Sequence, residues 1–302
     1  MRPEFRHLLV PLDGSRLAEA VLPFALGLAG RLGATVTLLH LLERKAPEKV
    51  HGESHLTGAP QARAYLEQIA ARCRAAAVEA RVHVHAPPVR GVAAGVAEHA
   101  AELGADLIAI TTHGSGGLRD LIVGSIAQQT LARGATSILL VRPTATGAAP
   151  PFACRTLVVA LDPARHGMAP LDAACLLARA LAAHLHLLTV VPTPGTLPAE
   201  RRAQATLSPH AAAAVLDLES RDAEAMLREA AASLEAEGLK ASTELRRGDP
   251  LSEVIQALRE RAADLLVVAT HGHVGLGGLL AGSFAPRITS QSSVPVLLVR
   301  IT

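Results

Sequence analysis

The chain has 302 residues, of which 50% are apolar and 19% charged, so a disordered protein is excluded and the length suits two domains. The formal net charge is +2, no basic run exceeds two residues, and aromatic residues make up only 2%. This composition argues against proteins that bind DNA by charge or stack single-stranded nucleic acid on aromatic rings. Cys73, Cys154 and Cys175 are widely spaced, which predicts neither a disulfide framework nor a zinc knuckle.

The first residues lack the long apolar segment of a signal peptide. The longest apolar run, Ala20–Gly30, contains Pro23 and is shorter than the roughly 18 residues that a membrane helix needs. We therefore expect a soluble, cytoplasmic protein that binds neither membranes nor nucleic acid.

Short apolar runs alternate with amphipathic stretches along the first half of the chain. The predicted strands are His7–Leu12, Thr35–Leu41, Arg81–His85, Leu107–Thr111 and Ser137–Val141, and the predicted helices are Arg16–Leu32, Gln61–Glu79, Val92–Leu103 and Ser125–Arg133. Most of these strands are continuously apolar, which is typical of a parallel sheet with helices on both faces.

The second half repeats the first. Asp13 and Asp162, each after the first strand of its half, are 149 positions apart, whereas Thr112-His113-Gly114 returns 158 positions later as Thr270-His271-Gly272. The same offset of 158 joins Gly124-Ser125 to Gly282-Ser283 and Leu139–Arg142 to Leu297–Arg300. We place most of the net insertion of nine residues in Val191–His210.

The predicted strands of the second copy are Leu157–Leu161, Leu185–Val191, Ala241–Leu245, Leu265–Ala269 and Val296–Arg300. His210–Glu237 is predicted to be a long amphipathic helix, whose charged face is either solvated, as we favour, or a partner surface. The domains are predicted as residues 1–143 and 154–302 with a linker at 144–153. Each is a Rossmann-like, doubly wound α/β domain with a five-stranded parallel sheet.

Glycine-rich loops follow the fourth strand of each copy, before helices that begin near Ser125 and Ser283. Glycines allow close approach of the backbone, and a helix N-terminus favours phosphate, so the loops predict phosphate binding beyond the carboxyl ends of the strands. Alternatively, the glycines only form tight turns and the serines only cap the helices.

These motifs resemble those of the universal stress proteins, in a tandem form that covers nearly the whole chain. Gly114, Gly124 and Ser125, like Gly272, Gly282 and Ser283, match the family's Gly-x2-Gly-x9-Gly-Ser/Thr motif, although Thr111 and Ala269 replace its first glycine. The resemblance implies an adenine-nucleotide site, an intramolecular pseudo-dimer with pseudo-twofold symmetry, and pairing between the last strands of the two copies.

The resemblance also implies individual site residues. Asp13 and Asp162 match an aspartate that contacts adenosine, Leu41 and Val190 an adenine-pocket position, and Ile110 and Val268 the position before the glycine motif. The full predicted site comprises Pro11, Asp13, Leu41, Ile110, Thr111, His113, Gly114, Gly124, Ser125 and Ile126 in the first copy, and Ala160, Asp162, Val190, Val268, Ala269, His271, Gly272, Gly282, Ser283 and Phe284 in the second.

Binding is better supported than turnover. The chain has no Gly-x4-Gly-Lys-Ser/Thr motif, no lysine near either loop, and no carboxylate pair with a general-base role. ATP, or another adenine nucleotide, is therefore expected with Mg²⁺ bridging its phosphates, and any ATPase activity should be very slow.

Histidines offer further candidate sites. His83 and His85 share one strand face and could hold a metal ion, but no third ligand is evident, so we favour edge-strand histidines without a metal. His184 and His186 have the same spacing and the same interpretation, and no metal ligands are predicted. His113 and His271 recur at matched positions and are expected to serve the loop.

Three functions remain open. The first is a nucleotide-responsive stress or signalling module whose conformation or assembly changes with the nucleotide. The second is an enzyme of the adenine-nucleotide α-hydrolase-like group that cleaves ATP or transfers part of it. The third is a scaffold whose pockets no longer bind nucleotide. A homodimer of tandem chains is compatible with each, and the protein partner is unknown.

Overall fold

The computed structural model describes residues 4–43, 49–50, 53–54, 56–89, 91–112, 125–144, 152–162, 169–271 and 284–301. The chain forms two compact units, one made of Met1–Ala153 with Thr270–Thr302 and the other of Cys154–Ala269. In the described part, no helix is both long enough and apolar enough to span a bilayer.

The first unit is built on a sheet whose strands follow the order β12-β7-β6-β1-β2-β5. Its strands are β1 (His7–Pro11), β2 (Thr35–Glu43), β5 (Ala80–Val89), β6 (Leu107–Thr111), β7 (Ser137–Val141) and β12 (Val296–Ile301), and a separate antiparallel pair consists of β3 (Lys49–Val50) and β4 (Glu53–Ser54). Strands β7, β6, β1, β2 and β5 run parallel, and every residue of β6 and β7 is buried. Such burial explains their continuously apolar sequences.

The last strands of the two copies pair with each other. β12 runs antiparallel to β7, with Val296 opposite Leu140 and Leu298 opposite Ile138. The predicted pairing of these strands is therefore confirmed. Because both strands are short and apolar, pairing removes edges that would otherwise be exposed to aggregation.

The helices of the first unit are α1 (Arg16–Glu19), α2 (Leu22–Leu32), α3 (Ala59–Ala75), α4 (Val92–Glu102), α5 (Ser125–Arg133) and α10 (Phe284–Gln291). The single helix predicted over Arg16–Leu32 is wrong, because the chain breaks it at Ala20–Val21. Pro23 has no N–H to continue the hydrogen bonds of α1, but it is tolerated in the first turn of α2.

The second unit is a parallel sheet in the order β10-β9-β8-β11. It consists of the strands β8 (Thr156–Ala160), β9 (His184–Val191), β10 (Ala241–Arg247) and β11 (Leu265–His271), with the helices α6 (Ala169–Leu181), α7 (Ala199–Leu207), α8 (Pro209–Ala236) and α9 (Pro250–Glu260). α8 confirms the long helix predicted at His210–Glu237, whereas α7, inside the predicted insertion, was not foreseen.

An aspartate anchors the first strand of each copy in the same way. Asp106 accepts hydrogen bonds from the N–H groups of Arg6 (2.7 Å) and His7 (3.2 Å), and Asp264 accepts them from Arg155 (2.7 Å) and Thr156 (3.0 Å). The two copies thus repeat local contacts as well as strand order. The α/β fold and the tandem arrangement agree with the prediction.

Candidate functional site

The first unit has a point where its strand order reverses. From β1 the chain proceeds through β2 to β5 on one side, and then returns to place β6 and β7 on the other side. β1 and β6 are neighbours and run parallel, with Leu8 opposite Leu107 and Leu9 opposite Ile108. In doubly wound sheets, ligands bind beyond the carboxyl ends of the strands at this kind of reversal.

At the end of β1, the Asp13 carboxylate is fixed by a tight turn. Its Oδ1 accepts a hydrogen bond of 2.9 Å from the N–H of Ser15, whose own Oγ accepts one of 3.1 Å from Ala18 and caps α1. Gly14 has a φ of +92°, and a Cβ there would lie 2.8 Å from Cγ of Leu56. Both the backbone angle and the space therefore require glycine beside Asp13.

A buried polar side chain on the second strand of each copy supports the residue before the aspartate. Nδ1 of His40 lies 2.7 Å from the carbonyl oxygen of Leu12, and its Nε2 lies 3.2 Å from that of Leu56. In the second copy, the Thr189 hydroxyl donates to the Leu161 carbonyl at 3.2 Å. His40 and Thr189 are 149 positions apart, as are Leu12 and Leu161. Sequence reasoning missed this pair, although each is a polar residue within an apolar strand.

Helix α1, directly after Asp13, is tied to α3 by a polar network. The hydroxyl of Tyr65 donates to Glu19 at 3.2 Å, and Arg72 pairs with the same carboxylate at 2.8 Å. Burial, followed by the charge of Glu19, raises the pKa of Tyr65. The phenol therefore stays protonated and acts as a donor at every physiological pH.

At the end of β6, one buried hydroxyl lacks a partner within the described ranges. Ile110 and Thr111 are buried, and the Thr112 N–H donates to the carbonyl of Val141 at 2.9 Å. The Thr112 Oγ1 is also buried, yet among the described residues it has no hydrogen-bond partner. An unpaired buried hydroxyl costs about 1–3 kcal/mol, so it needs a structural or functional reason.

The remaining predicted residues of the first copy are distributed around this edge. Pro11 ends β1, and the buried Leu41 lies on β2 against Gly95 of α4. Ser125 is the first residue of α5, and the next residue, Ile126, is 45% exposed. His113, Gly114 and Gly124 lie outside the described residues.

In the second copy, the described residues of the predicted site lie near the ends of strands or at the start of a helix. Ala160 ends β8 and is followed, after Leu161, by the exposed Asp162. Val190 is half-buried on β9, and on β11 Val268 is buried and Ala269 half-buried. His271 ends β11 and Phe284 begins α10, whereas Gly272, Gly282 and Ser283 lie outside the described residues.

Residues 4–142 and 154–300 each match the universal stress protein family, and the chain therefore belongs to this family. It is 38% identical over 63 residues to universal stress protein MJ0531 of Methanocaldococcus jannaschii, and 33% identical over 63 residues to YxiE of Bacillus subtilis. Each match covers 21% of this chain, and the matches cover 37% of MJ0531 and 43% of YxiE. The chain therefore spans less than half the length of these curated relatives.

Solved structures with the same fold cover nearly the whole chain. A universal stress protein from Archaeoglobus fulgidus has a TM-score of 0.68 at 16% identity, over 97% of this chain and 96% of its own. A structure titled a putative universal stress protein from Pseudomonas aeruginosa has a TM-score of 0.64 at 18% identity, over 98% of this chain and 93% of its own. At these identities the likeness shows the fold alone.

Proposed function

We propose that the chain binds an adenine nucleotide, ATP with Mg²⁺, in the first copy, beyond the carboxyl ends of β1 and β6. The bound nucleotide changes the conformation or assembly of a stress-response or signalling module. The observation that carries this proposal is the buried hydroxyl of Thr112, which has no partner in the part of the chain that the structure describes and lies at the reversal of strand order. A bound ligand at this edge would give that hydroxyl its missing partner.

The nucleoside half of the ligand fits the residues around Asp13. The carboxylate held by Ser15 is an acceptor for ribose hydroxyls, and a hydrogen bond to a charged group contributes about 1.5–3 kcal/mol. Ile110 and Leu41 are apolar and buried at the same edge, which suits a purine ring.

The phosphate half fits the start of α5. This nine-residue helix begins at Ser125. The first N–H groups of a helix have no partner within it, and together with the helix dipole they favour negative charge. Gly114 and Gly124 of the family motif would let the backbone approach the phosphates. Mg²⁺ would neutralise phosphate charge by bridging phosphate oxygens, with most of its ligands from phosphate and water.

The domain boundaries and the cellular location belong to the same proposal. The family matches at residues 4–142 and 154–300 support functional domains at 1–143 and 154–302, joined by a linker at 144–153. Cys73, Cys154 and Cys175, all within the described residues, are buried and form no disulfide, which is compatible with a reducing, cytoplasmic location.

Calorimetric titration of MgATP into wild type and Asp13→Asn tests this proposal. Loss of the charged acceptor should weaken binding about 10–150-fold, because each 1.4 kcal/mol corresponds to a factor of ten. Asp222→Asn, on the exposed face of α8, is the matched control and should bind like wild type. Equal affinity in Asp13→Asn and wild type, with folding verified by circular dichroism, would reject the assignment of Asp13.

A further inference from the structure

Three histidines converge on one side of the first sheet. His83 and His85 alternate along β5, so they share a face, and β5 is an edge strand of that unit's described sheet. His99 comes from α4, and its ring centroid lies 5.1 Å from that of His83 and 4.6 Å from that of His85. One ligand nitrogen from each ring lies within 4.8 Å of the other two. The third ligand that the sequence did not reveal is therefore supplied by a helix.

The ring of His99 is already oriented for a metal ion. Its Nδ1 lies 2.8 Å from the carbonyl oxygen of Gly95, which can only accept, so Nδ1 carries the proton. In the neutral imidazole the lone pair is then on Nε2, which lies 3.1 Å from Nδ1 of His85. A histidine that donates one N–H to a backbone carbonyl and presents its other nitrogen is the usual arrangement at metal sites. Because the His99 side chain is only 5% exposed, packing holds this orientation.

We propose that His83, His85 and His99 bind a zinc ion. Zinc–nitrogen bonds are about 2.0–2.1 Å long, so two nitrogens of a tetrahedral site lie roughly 3.3 Å apart. His85 and His99 already approach this separation at 3.1 Å. His83 is half-buried, and its ligand nitrogen lies within 4.8 Å of the other two, so a side-chain rotation at the sheet edge would bring it to the ion. When zinc binds Nδ1 of His85, the one N–H of the neutral ring lies on Nε2.

The charges around the cluster suit one divalent cation. Oε2 of Glu102 lies 4.0 Å from Nε2 of His99 on a side chain that is 69% exposed, so it can become the fourth ligand or hydrogen-bond a zinc-bound water. Arg63 of α3 is exposed, and its positive charge lies near His83. Three imidazoles with one open position form a donor set that zinc prefers over magnesium or calcium.

The second copy contains a useful contrast. His184 and His186 have the same spacing on β9, but both rings contact the Ser242 hydroxyl, at 2.7 and 2.9 Å. His186 also lies 2.8 Å from Glu244, which is paired with two arginines. These nitrogens are occupied by protein groups, so this pair serves as an internal control.

Zinc binding by the full chain tests the proposal. After EDTA treatment and removal of the chelator, wild type, His83→Gln, His85→Gln and His184→Gln are dialysed against graded ZnCl₂ at pH 7.5, and bound zinc is measured by mass spectrometry. Wild type and His184→Gln should bind one zinc more than His83→Gln and His85→Gln, or bind it at least tenfold more tightly.

Cobalt provides a second readout of the same site. Wild type loaded with Co²⁺ should show the visible absorption of a low-coordinate ion, and this absorption should be absent in His83→Gln and present in His184→Gln. If His85→Gln does not fold, His83→Gln decides, because its side chain is half-buried on an edge strand. Equal zinc stoichiometry and affinity in wild type and His83→Gln would overturn the proposal.

Discussion

Replacing Thr112 by valine tests whether the end of β6 is built for a ligand. Valine keeps the shape of the side chain and removes the buried Oγ1, which has no partner among the described residues. In the nucleotide-free chain this should stabilise the fold by about 1–2 kcal/mol, because an unpaired hydroxyl no longer has to be desolvated. One kcal/mol corresponds to a shift of about 2–4 °C in the melting temperature of domains of this size.

The same substitution should weaken nucleotide binding. A hydrogen bond from Thr112 to the ligand is worth about 1–3 kcal/mol, so its loss should raise the Kd for MgATP roughly 5–150-fold. Melting temperatures measured with and without MgATP, together with calorimetry, report both effects on one variant. We expect a more stable free protein that gains less from nucleotide than wild type does.

Thr189→Val is the matched control for stability. Its hydroxyl is also buried, but it donates to the Leu161 carbonyl at 3.2 Å, so its removal should lower the melting temperature. A lower melting temperature for nucleotide-free Thr112→Val, or an unchanged affinity for MgATP, would refute the role assigned to this hydroxyl.

Three further predictions concern acid stability, strand anchoring and turnover. Burial lowers the pKa of His83, His184 and His186, so below about pH 6.5 the unfolded chain binds more protons than the folded chain. The free energy of unfolding should therefore decrease as the pH is lowered. Urea titrations at pH 7.5 and 5.5, without added metal, check this, and equal stabilities would contradict it. Asp106→Ala and Asp264→Ala should each lower the stability of their own copy by about 1–3 kcal/mol, since each leaves two backbone N–H groups without a carboxylate acceptor. Urea unfolding should show similar losses, and a loss in only one variant would contradict the equivalence of the copies. Phosphate release from MgATP should stay well below about 1 s⁻¹, because the sequence shows no carboxylate pair with a general-base role, and release at ordinary enzymatic rates would favour an enzyme.

Much of the fold could be predicted because buried parallel strands have continuously apolar sequences. Leu107–Thr111 and Ser137–Val141 have the predicted bounds, and their residues are buried throughout. Helix α7 could not be predicted in this way, because it is short and most of its described side chains are exposed. It is held through the half-buried Ala205, which packs on a small cluster that includes Leu216 of α8.

The site could be predicted only in part, because spacing along one element says little about contacts between elements. The position of Asp13 follows from the end of a strand, but only the three-dimensional structure shows that the Thr112 hydroxyl is buried without a partner among the described residues. His83 and His85 could be recognised as sharing a face, whereas His99 joins them through the way in which α4 packs on the sheet. Contacts of this kind depend on helix rotation, which apolar periodicity defines only coarsely.

Nucleotide binding itself is tested most directly by titrating MgATP into wild type, Gly124→Val, Gly282→Val and the double variant. Both glycines match the last glycine of the family motif, where a valine side chain would occupy the space that phosphate needs. Gly124→Val should abolish binding at the proposed site in the first copy, Gly282→Val should leave that site intact, and the double variant, folded by circular dichroism, should show no binding heat at all. A double variant that binds MgATP with the stoichiometry and affinity of wild type would contradict the proposed phosphate site.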